Sequence, residues 1–395
     1  MQTSSPPEKI KVLFLSAWYP VEWDSMFGLF VLKHARAAAR KCEVYVLHVA
    51  ASHDRKLNIS QRQEDGLTEL IIYYQARQGI AGKLLNLLRW ARAYHKGYRM
   101  MKKQWGLPMV THVNILTRTA LPALLMKFFH RIPYIITEHW SRYLPRQNYR
   151  FSPLHRWLTR YAIKKASDFT TVSEKLGKAM TEKKFSDSYT ILPNVVETDL
   201  FRISFQEKKA EKPKKTIVHI SCFEEKSKNL GGLLKAVKQL SEIRQDFMLR
   251  MVGTGEDFDN TVNLASELGL LNTFVVFDGL KEGEELAKVL SAADLSVLTS
   301  HYETFGIVVY ESLACGVPVL VTDVADFSET IAPEMGMVVP VAAVSDMVGA
   351  LDRILDNLDT YNPEHLRKFV VEQYSEEAVS NQLLQLYQKA LAGEY

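Results

Sequence analysis

Short runs of β-branched and aromatic residues alternate with stretches of helical period from one end of the chain to the other. Runs such as 11–15 and 295–299 predict buried strands, whereas 27–40 and 230–243 place apolar residues three or four positions apart, as helices do. Strand–helix–strand alternation is typical of parallel sheets that are covered by helices on both faces. The pattern therefore predicts an α/β protein.

The alternation continues on both sides of a charged, proline-containing run at 207–215, which we interpret as a linker. A chain of 395 residues is too long for a single hydrophobic core. We predict one domain at 1–205, a second at 206–372, and an amphipathic helix at 373–395 that returns to the first domain. The predicted strands are 11–15, 43–49, 69–74, 109–113, 134–137, 169–172, 190–192, 216–220, 247–252, 274–277, 295–299 and 317–321.

The two predicted halves carry opposite charge. Residues 1–205 contain 32 Lys and Arg against 15 Asp and Glu, whereas residues 206–395 contain 17 against 30. No acidic residue occurs between Leu70 and Thr137. Such a first half is expected to attract anions, for example phospholipid head groups, a lipid-linked pyrophosphate or nucleic acid. The alternative is that the two halves attract each other, and both effects could operate together.

Composition excludes several classes of protein. With 47% apolar and 24% charged residues, the chain is an ordinary globular protein and not a collagen-like or disordered one. Three scattered cysteines fit a reducing compartment, and they make neither a disulfide framework nor a four-cysteine zinc site. The sequence shows no signal-peptide pattern and no run of about 18 apolar residues, so we expect a cytoplasmic protein that does not span a membrane.

The strongest candidate for chemistry follows the predicted strand 295–299. A loop containing Glu303 leads to Gly306, where a helix is predicted to begin and where unpaired N–H groups and the helix dipole would hold an anion. Glu303 and Glu311 could accept hydrogen bonds from hydroxyls beside that anion, which describes a site for a nucleotide diphosphate sugar. Taken alone, a spacing this common favours a helix cap at Glu303 and a surface residue at Glu311.

The surrounding residues resemble a known signature. Residues 303–306 with Glu311, followed by 314–319, resemble the E-x7-E motif of the retaining nucleotide-sugar glycosyltransferases of family 4, which have the GT-B fold. Further segments resemble that family in the same order along nearly the whole chain: 18–20, 27–28, 137–140, 167–173, 192–196 and 256–294. The resemblance implies two doubly wound, Rossmann-like domains with parallel sheets, facing each other across a cleft.

The resemblance also implies roles for individual residues. His139 and Glu303 would be catalytic, with His139 close to the donor sugar and the attacking hydroxyl, and Glu303 in contact with hydroxyls of the donor sugar. Glu311 would hold the ribose diol of the nucleotide. The other donor-binding positions would be Gly28, Asn194, Lys226, Lys228, Gly253, Gly255, Thr304, Phe305, Gly306 and Ile307.

One position departs from the family pattern. Where the family has an arginine that clamps the diphosphate, this chain has Cys222, whereas Lys228 matches the family lysine. A thiol cannot make charged, bidentate contacts with phosphate. We therefore hypothesise that Lys226 and Lys228 both point at the diphosphate; the alternative is a weaker clamp that relies on the helix N-terminus.

No cofactor is expected, and activity is expected to be independent of metal. The sequence has neither an HExxH pattern nor paired cysteines, and lysines with a helix N-terminus could neutralise the leaving diphosphate without a divalent ion. The run 252–256 superficially resembles a dinucleotide fingerprint. Phe258 occupies the third glycine position, however, which argues against nicotinamide binding.

The resemblance predicts a glycosyltransferase that moves a sugar from a nucleotide diphosphate, preferably UDP, to an acceptor hydroxyl with retention of configuration. Cell-surface polysaccharide or glycolipid assembly is the expected setting. A nucleotide-sugar epimerase and a non-catalytic nucleotide-sugar binder remain alternatives.

The basic first half motivates the expected partners. We expect a lipid-linked saccharide as acceptor. The segment 82–105 interleaves leucine and tryptophan with cations, so it could lie on an anionic membrane surface as a peripheral contact or simply pack on the first sheet. No nucleic-acid partner is expected, because no recognisable nucleic-acid motif accompanies the charge.

Overall fold

The computed structural model describes residues 9–52, 57–64, 66–116, 118–147, 149–204 and 214–393. Contacts between residues divide the chain into two compact units. Unit 1 comprises Met1–Val172, Leu176–Val195 and Glu376–Tyr395, and unit 2 comprises Ser173–Lys175 and Val196–Ser375. The predicted linker, 207–215, lies outside the described residues apart from Lys214 and Lys215.

Unit 1 is built on one sheet of eight strands. Its elements are β1 (Lys11–Ser16), α1 (Leu29–Ala39), β2 (Glu43–Ser52), β3 (Asn58–Glu64), β4 (Leu67–Gln75), α2 (Ile80–Gln104), β5 (Val110–Asn114), α3 (Ala120–His130), β6 (Tyr134–Glu138), α4 (Pro153–Lys165), β7 (Asp168–Thr171), α5 (Glu174–Glu182) and β8 (Thr190–Ile191). The strand order is β3-β4-β2-β1-β5-β6-β7-β8. All neighbours are parallel except β3 and β4.

Unit 2 is built on a second, fully parallel sheet. Its elements are β9 (Lys215–Ile220), α6 (Glu225–Lys228), α7 (Leu230–Ile243), β10 (Phe247–Val252), α8 (Phe258–Glu267), β11 (Val275–Gly279), α9 (Gly283–Ser291), β12 (Leu295–Leu298), α10 (Ile307–Ala314), β13 (Val319–Thr322), α11 (Phe327–Thr330), β14 (Gly336–Val339), α12 (Val344–Asp356) and α13 (Pro363–Tyr374). The strand order is β11-β10-β9-β12-β13-β14. The last helix, α14 (Glu376–Ala392), belongs to unit 1.

The order of strands fixes where each unit can bind a ligand. Connections run in opposite directions from the middle of each sheet, so that β1 and β5 flank the reversal in unit 1 and β9 and β12 flank it in unit 2. Loops that leave such a pair at their carboxyl ends diverge and open a crevice. The loops that follow these four strands and their neighbours are therefore the expected ligand-binding positions.

The end of the chain completes the core of unit 1. Val379, Leu383 and Tyr387 on α14 are fully buried, and they belong to the same hydrophobic cluster as Val31 and Ala35 on α1. A helix with apolar residues at this spacing needs a partner face to cover it. α14 thus covers α1 although more than 300 residues separate the two helices in the chain.

Two strands were not predicted by the hydrophobic pattern. β3 is polar throughout (Asn-Ile-Ser-Gln-Arg-Gln-Glu) and lies at the sheet edge, antiparallel to β4, so the prediction of parallel pairing alone was incomplete. β14 is a four-residue edge strand that starts at Gly336. The helix predicted at 373–395 corresponds to α14, and Ser375, which has extended backbone, separates it from α13.

Candidate functional site

The N-terminus of α10 presents unpaired backbone donors. β12 ends at Leu298, and the chain then turns through a loop to Gly306, which caps the helix in the left-handed conformation at φ 72°. In the described part of the chain, no protein acceptor receives the N–H groups of Thr304, Phe305, Gly306 or Ile307. Those donors and the helix dipole together favour an anion. This loop follows β12, which is one of the two strands that flank the reversal in unit 2, and it therefore lies where a ligand is expected to bind.

The second position, after β9, carries the short helix α6, which is hydrogen-bonded to the loop after β12. The Thr299 hydroxyl donates to the carbonyl of Lys228 at 3.1 Å, and the His301 N–H donates to the carbonyl of Ser227 at 2.7 Å. These two bonds fix α6 beside the segment that leads to α10. Loops from the two strands that flank the reversal are therefore joined into one surface.

This surface contains a partly buried ion pair. The ammonium group of Lys228 donates to Glu303 Oε1, and the two side chains are only 16% and 14% exposed. The hydroxyl of Ser300 donates to the same carboxylate oxygen at 3.0 Å. Burial opposes the charge on Lys228, but attraction to Glu303 prevails and raises the lysine pKa. A charged lysine, paired with the Glu303 carboxylate, therefore lies on the same surface as the unpaired N–H groups.

Lys226 does not join this cluster. It is exposed, and it is two residues from Lys228 on α6, so the two side chains leave the helix about 200° apart. Cys222, which stands at the family's arginine position, is also exposed. Of the two lysines predicted to point at a diphosphate, the structure brings only Lys228 to Glu303.

Glu311 lies one turn into α10 and is 5% exposed, between the buried Tyr310 and Ser312. Phe305 is also buried, and its ring packs on Tyr310 with centroids 4.7 Å apart. The side chain of Phe305 therefore anchors the turn in the core, so that only its backbone can serve a ligand.

Gly253 and Gly255 allow two loops of unit 2 to lie against each other. A Cβ on Gly253 would stand 1.9 Å from the Ser221 carbonyl oxygen, and one on Gly255 would stand 2.5 Å from that of Phe223. The loops are joined by the Phe223 N–H, which donates to the Thr254 carbonyl at 2.9 Å. The glycines thus have a packing role, and their predicted contact with the nucleotide remains a prediction.

In unit 1, Gly28 also has a packing role. It caps α1 at φ 70°, and a Cβ there would lie 2.4 Å from the carbonyl carbon of Trp18. The loop that leaves β1 therefore passes directly over the start of α1. Only glycine fits this close approach and this backbone conformation.

His139 follows β6 and is 5% exposed. Its Nε2 pairs with Asn114 Oδ1 at 3.2 Å, and its ring lies 4.5 Å from that of Phe30, centroid to centroid. The Glu138 carboxylate accepts the N–H groups of His139 and Trp140, each at 2.9 Å, and so shapes the turn. Burial, reinforced by other histidines nearby, lowers the pKa of His139 well below 6.5, so the ring is neutral at pH 7.

Four buried polar atoms near His139 lack hydrogen-bond partners within the described chain: His139 Nδ1, His34 Nδ1, Asn114 Nδ2 and Asn194 Oδ1. The rings of His34 and His139 are 5.4 Å apart, and Asn194 follows Pro193, whose carbonyl oxygen pairs with His34 Nε2 at 2.8 Å. Unpartnered buried polar atoms are costly, so a group of them is a good binding site for a polar ligand such as a sugar hydroxyl.

The sequence analysis did not single out Asn114 or Glu138. Asn114 ends β5, which flanks the strand reversal of unit 1, and Glu138 ends β6. The available signal was a polar residue directly after each of the predicted strands 109–113 and 134–137. No group of three or more His, Cys, Asp or Glu side chains in the described ranges could hold a metal ion. None of the helices in those ranges is both long and apolar enough to cross a membrane.

Solved structures with similar architecture are glycosyltransferases of the GT-B fold. The chain aligns with sucrose-phosphate synthase from Thermosynechococcus elongatus at a TM-score of 0.76 and 19% identity, over 97% of this chain and 100% of that one. It aligns with Anabaena HepE, solved with UDP and glucose, at 0.71 and 15%, over 96% and 99%. The predicted class, a GT-B protein with two parallel-sheet α/β domains, is thereby confirmed.

Sequence comparison narrows the class to a family. Residues 28–200 match the model "Glycosyltransferase Family 4", and residues 201–373 match "Glycosyl transferases group 1". The two models together cover most of the chain, which belongs to family 4 of the glycosyltransferases.

Two relatives with named activities show moderate identity. The MMP alpha-(1->4)-mannosyltransferase of Mycolicibacterium hassiacum is 27% identical over 64% of this chain and 60% of its own length. The N-acetyl-alpha-D-glucosaminyl L-malate synthase of Bacillus anthracis is 29% identical over 59% of this chain and 62% of its own length. The chain thus matches about three fifths of the length of each of these relatives.

Proposed function

We propose that the protein transfers a sugar from a nucleotide diphosphate sugar to an acceptor hydroxyl. The observation that carries this proposal is the convergence of the α10 N-terminus with the Lys228–Glu303 pair, at the strand reversal of unit 2. The leaving group of such a reaction is a diphosphate, and its charge develops where positive groups must already be fixed. Backbone N–H groups and one ammonium group meet that need.

Each site residue in unit 2 has a separate role in this proposal. The N–H groups from Thr304 to Ile307 and the ammonium group of Lys228 bind the diphosphate, and no metal ion is required for this. Glu303 accepts hydrogen bonds from hydroxyls of the sugar, and Glu311 accepts them from the ribose. The enzyme acts mainly by positioning the reactants and stabilising departing charge.

We infer that the nucleotide is UDP and that the anomeric configuration is retained. The first inference is supported by HepE, which was solved with UDP and with UDP-glucose. The second is supported by the E-x7-E spacing of Glu303 and Glu311. In unit 1, the unpartnered atoms around His139 would receive hydroxyls, and the acceptor is a saccharide for a surface polysaccharide or glycolipid.

The proposal is tested by assaying product formation from UDP-sugars with Glu303→Gln, Glu311→Gln and the exposed control Glu267→Gln. Glu303→Gln should lower kcat by about 100-fold, because the carboxylate that accepts hydrogen bonds from the sugar is lost. UDP should still bind, because Lys228 loses a competing carboxylate. Glu311→Gln should chiefly raise KM, and Glu267→Gln should match the unchanged protein. NMR of the product reports its anomeric configuration.

The same assay separates the alternatives. A new nucleotide sugar formed without any acceptor would identify an epimerase, and binding of UDP-sugars without any product would identify a binding protein. Equal kinetic defects in Glu303→Gln and Glu311→Gln would show that the two roles are wrongly assigned.

A further inference from the structure

One face of unit 1 exposes more large apolar side chains than the outer side of an amphipathic helix usually does. On α2, Leu84, Leu87 and Leu88 are 65%, 46% and 50% exposed. On α3, the same spacing is filled by Leu125, Phe128 and Phe129, at 47%, 79% and 69%. Positions i, i+3 and i+4 lie on one side of a helix, so each helix turns an apolar stripe towards solvent.

A third helix repeats this spacing. On α4, Leu154, Trp157 and Leu158 are 66%, 61% and 51% exposed. The crossovers β4–α2–β5, β5–α3–β6 and β6–α4–β7 all run in the same direction along the sheet. Right-handed crossovers of one direction place their helices on the same face. The three stripes therefore share one surface, which we call the α2–α4 face.

A groove between α2 and α3 runs into this face. Its volume is about 540 Å³, and its walls are aromatic and aliphatic, with Trp90, Tyr94 and Tyr98 on α2 and Leu125 and Phe129 on α3. That volume is in the range of pockets that hold small ligands. Because its walls are apolar, the groove suits a hydrocarbon chain better than a sugar or a nucleotide.

The helices that form the α2–α4 face carry charge of one sign, although Asp168 and Asp187 line a neighbouring pocket together with Trp157 of α4. Between Ile71 and Ser167 the sequence contains 18 Lys and Arg and a single acidic residue, Glu138, which is fully buried. Arg92 and Arg99 are exposed on α2, next to its apolar stripe in the helical projection. A second copy of this face would bring like charges together, whereas an anionic bilayer supplies both the opposite charge and an apolar interior.

We propose that the α2–α4 face is a docking surface for an anionic phospholipid bilayer. The three stripes enter the boundary between head groups and acyl chains, the surrounding cations contact lipid phosphates, and the α2–α3 groove takes one acyl chain. This inference extends the proposed function and does not depend on it, because lipid binding is measured without donor or acceptor.

The test is co-sedimentation of the full chain with vesicles of phosphatidylcholine alone or mixed with phosphatidylglycerol. We expect binding to the anionic vesicles only, and we expect salt to weaken it. Phe128→Ser with Phe129→Ser should lower the partition coefficient about tenfold or more. The matched control is Ile243→Ser with Leu280→Ser, which removes two exposed apolar side chains from unit 2 and should leave binding unchanged.

Several results would overturn the proposal. They are an absence of vesicle binding, equal binding to neutral and anionic vesicles, and unchanged binding by the Phe128–Phe129 variant. A dimer in solution that the same variant dissociates would also overturn it, because a second copy would then cover the face. Circular dichroism verifies that both variants are folded.

Discussion

The Lys228–Glu303 pair connects two chemical tasks at the scale of single residues. The ammonium group suits a phosphate, and the carboxylate suits a hydroxyl, yet in the free protein each side chain binds the other. A diphosphate must therefore compete with Glu303 for Lys228. Removing either partner alone leaves a partly buried charge unpaired, so the two single substitutions should have opposite effects on an anion.

Lys228→Ala should weaken UDP binding about tenfold to 100-fold, because it removes a charged donor and leaves the Glu303 carboxylate to repel the phosphates. Isothermal titration with UDP measures this. The neighbouring Lys226→Ala is the matched control and should change the affinity less than about twofold, since that side chain is exposed on another side of α6. Equal losses in both variants would instead support the original hypothesis of a two-lysine clamp.

Gly306 sets the direction of the α10 N-terminus. Gly306→Ala would place a Cβ 2.5 Å from the ring of Phe327 at a φ of 72°, so we expect a loss of about 1–3 kcal/mol in the free energy of unfolding. Gly349→Ala, inside α12 with open space around its Cβ, should stabilise by about 0.5–1 kcal/mol. Urea denaturation of both variants checks the opposite signs.

The sequence located part of the site and missed another part for a physical reason. Glu303 and Gly306 are close in the chain, so their strand–turn–helix context is visible in the sequence. Lys228 and Glu303 are 75 residues apart, and their pairing depends on the order of β9 and β12 in the sheet. The grouping of His34, Asn114 and His139 has the same origin, which local patterns do not encode.

At the scale of elements, Arg367 on α13 fixes three carbonyl groups of unit 2. Its guanidinium group donates to the carbonyls of Thr198 and Phe201 at 2.8 Å each, and to that of Ala314 at 3.1 Å. One side chain thereby attaches the segment after Val196 and the end of α10 to α13. The fork of donors on arginine is suited to this geometry, and lysine lacks it.

Arg367→Ala should destabilise unit 2 by about 2–4 kcal/mol, because three carbonyls lose a charged donor. Lys368→Ala provides the control at the next position of α13, where the side chain is 72% exposed and pairs with the exposed Glu372. That variant should differ from the unchanged protein by less than about 0.5 kcal/mol. Thermal unfolding followed by circular dichroism distinguishes the two, and an equal shift in melting temperature would contradict the assigned role.

Helices and strands with a clear pattern of buried apolar residues were predictable from the sequence. Strands that depend on backbone pairing with a neighbouring strand were not. The predicted strand 247–252 and helix 230–243 match β10 and α7 at both ends, because nearly all of their signal is local. β3 has no apolar alternation and exists because its backbone pairs with the exposed edge of β4. β14 is short and begins with a glycine, which weakens any propensity for a strand.

At the scale of the whole molecule, buried histidines make unit 1 sensitive to acid. His34, His48, His112 and His139 are all buried there, and burial lowers the pKa of His34 and of His48 to about 4. Unfolded histidine has a pKa near 6.5, so the unfolded chain binds protons below that pH while the folded chain does not. Stability is therefore unaffected above about pH 6.5 and falls as the pH drops towards 4.

His48→Gln should reduce this dependence. Near pH 5, between the folded and unfolded pKa values of His48, the slope of unfolding free energy against pH should decrease by about 1 kcal/mol per pH unit, because nearly one fewer proton is taken up on unfolding. His95→Gln, an exposed position on α2, should leave the slope unchanged. Urea titrations at several pH values measure both slopes. The comparison uses slopes, so a general loss of stability in His48→Gln does not affect it.

The position of α14 has a consequence for biosynthesis. Domains usually fold in the order in which the ribosome makes them. Here α14 is synthesised after all of unit 2 and covers α1, one of the first helices, so unit 1 lacks part of its core until residues 376–392 have been made. Unit 2 is complete at Ser375, ahead of that point. The second half of the chain can therefore reach its native state before the first half, in which α1 stays uncovered until α14 has been made.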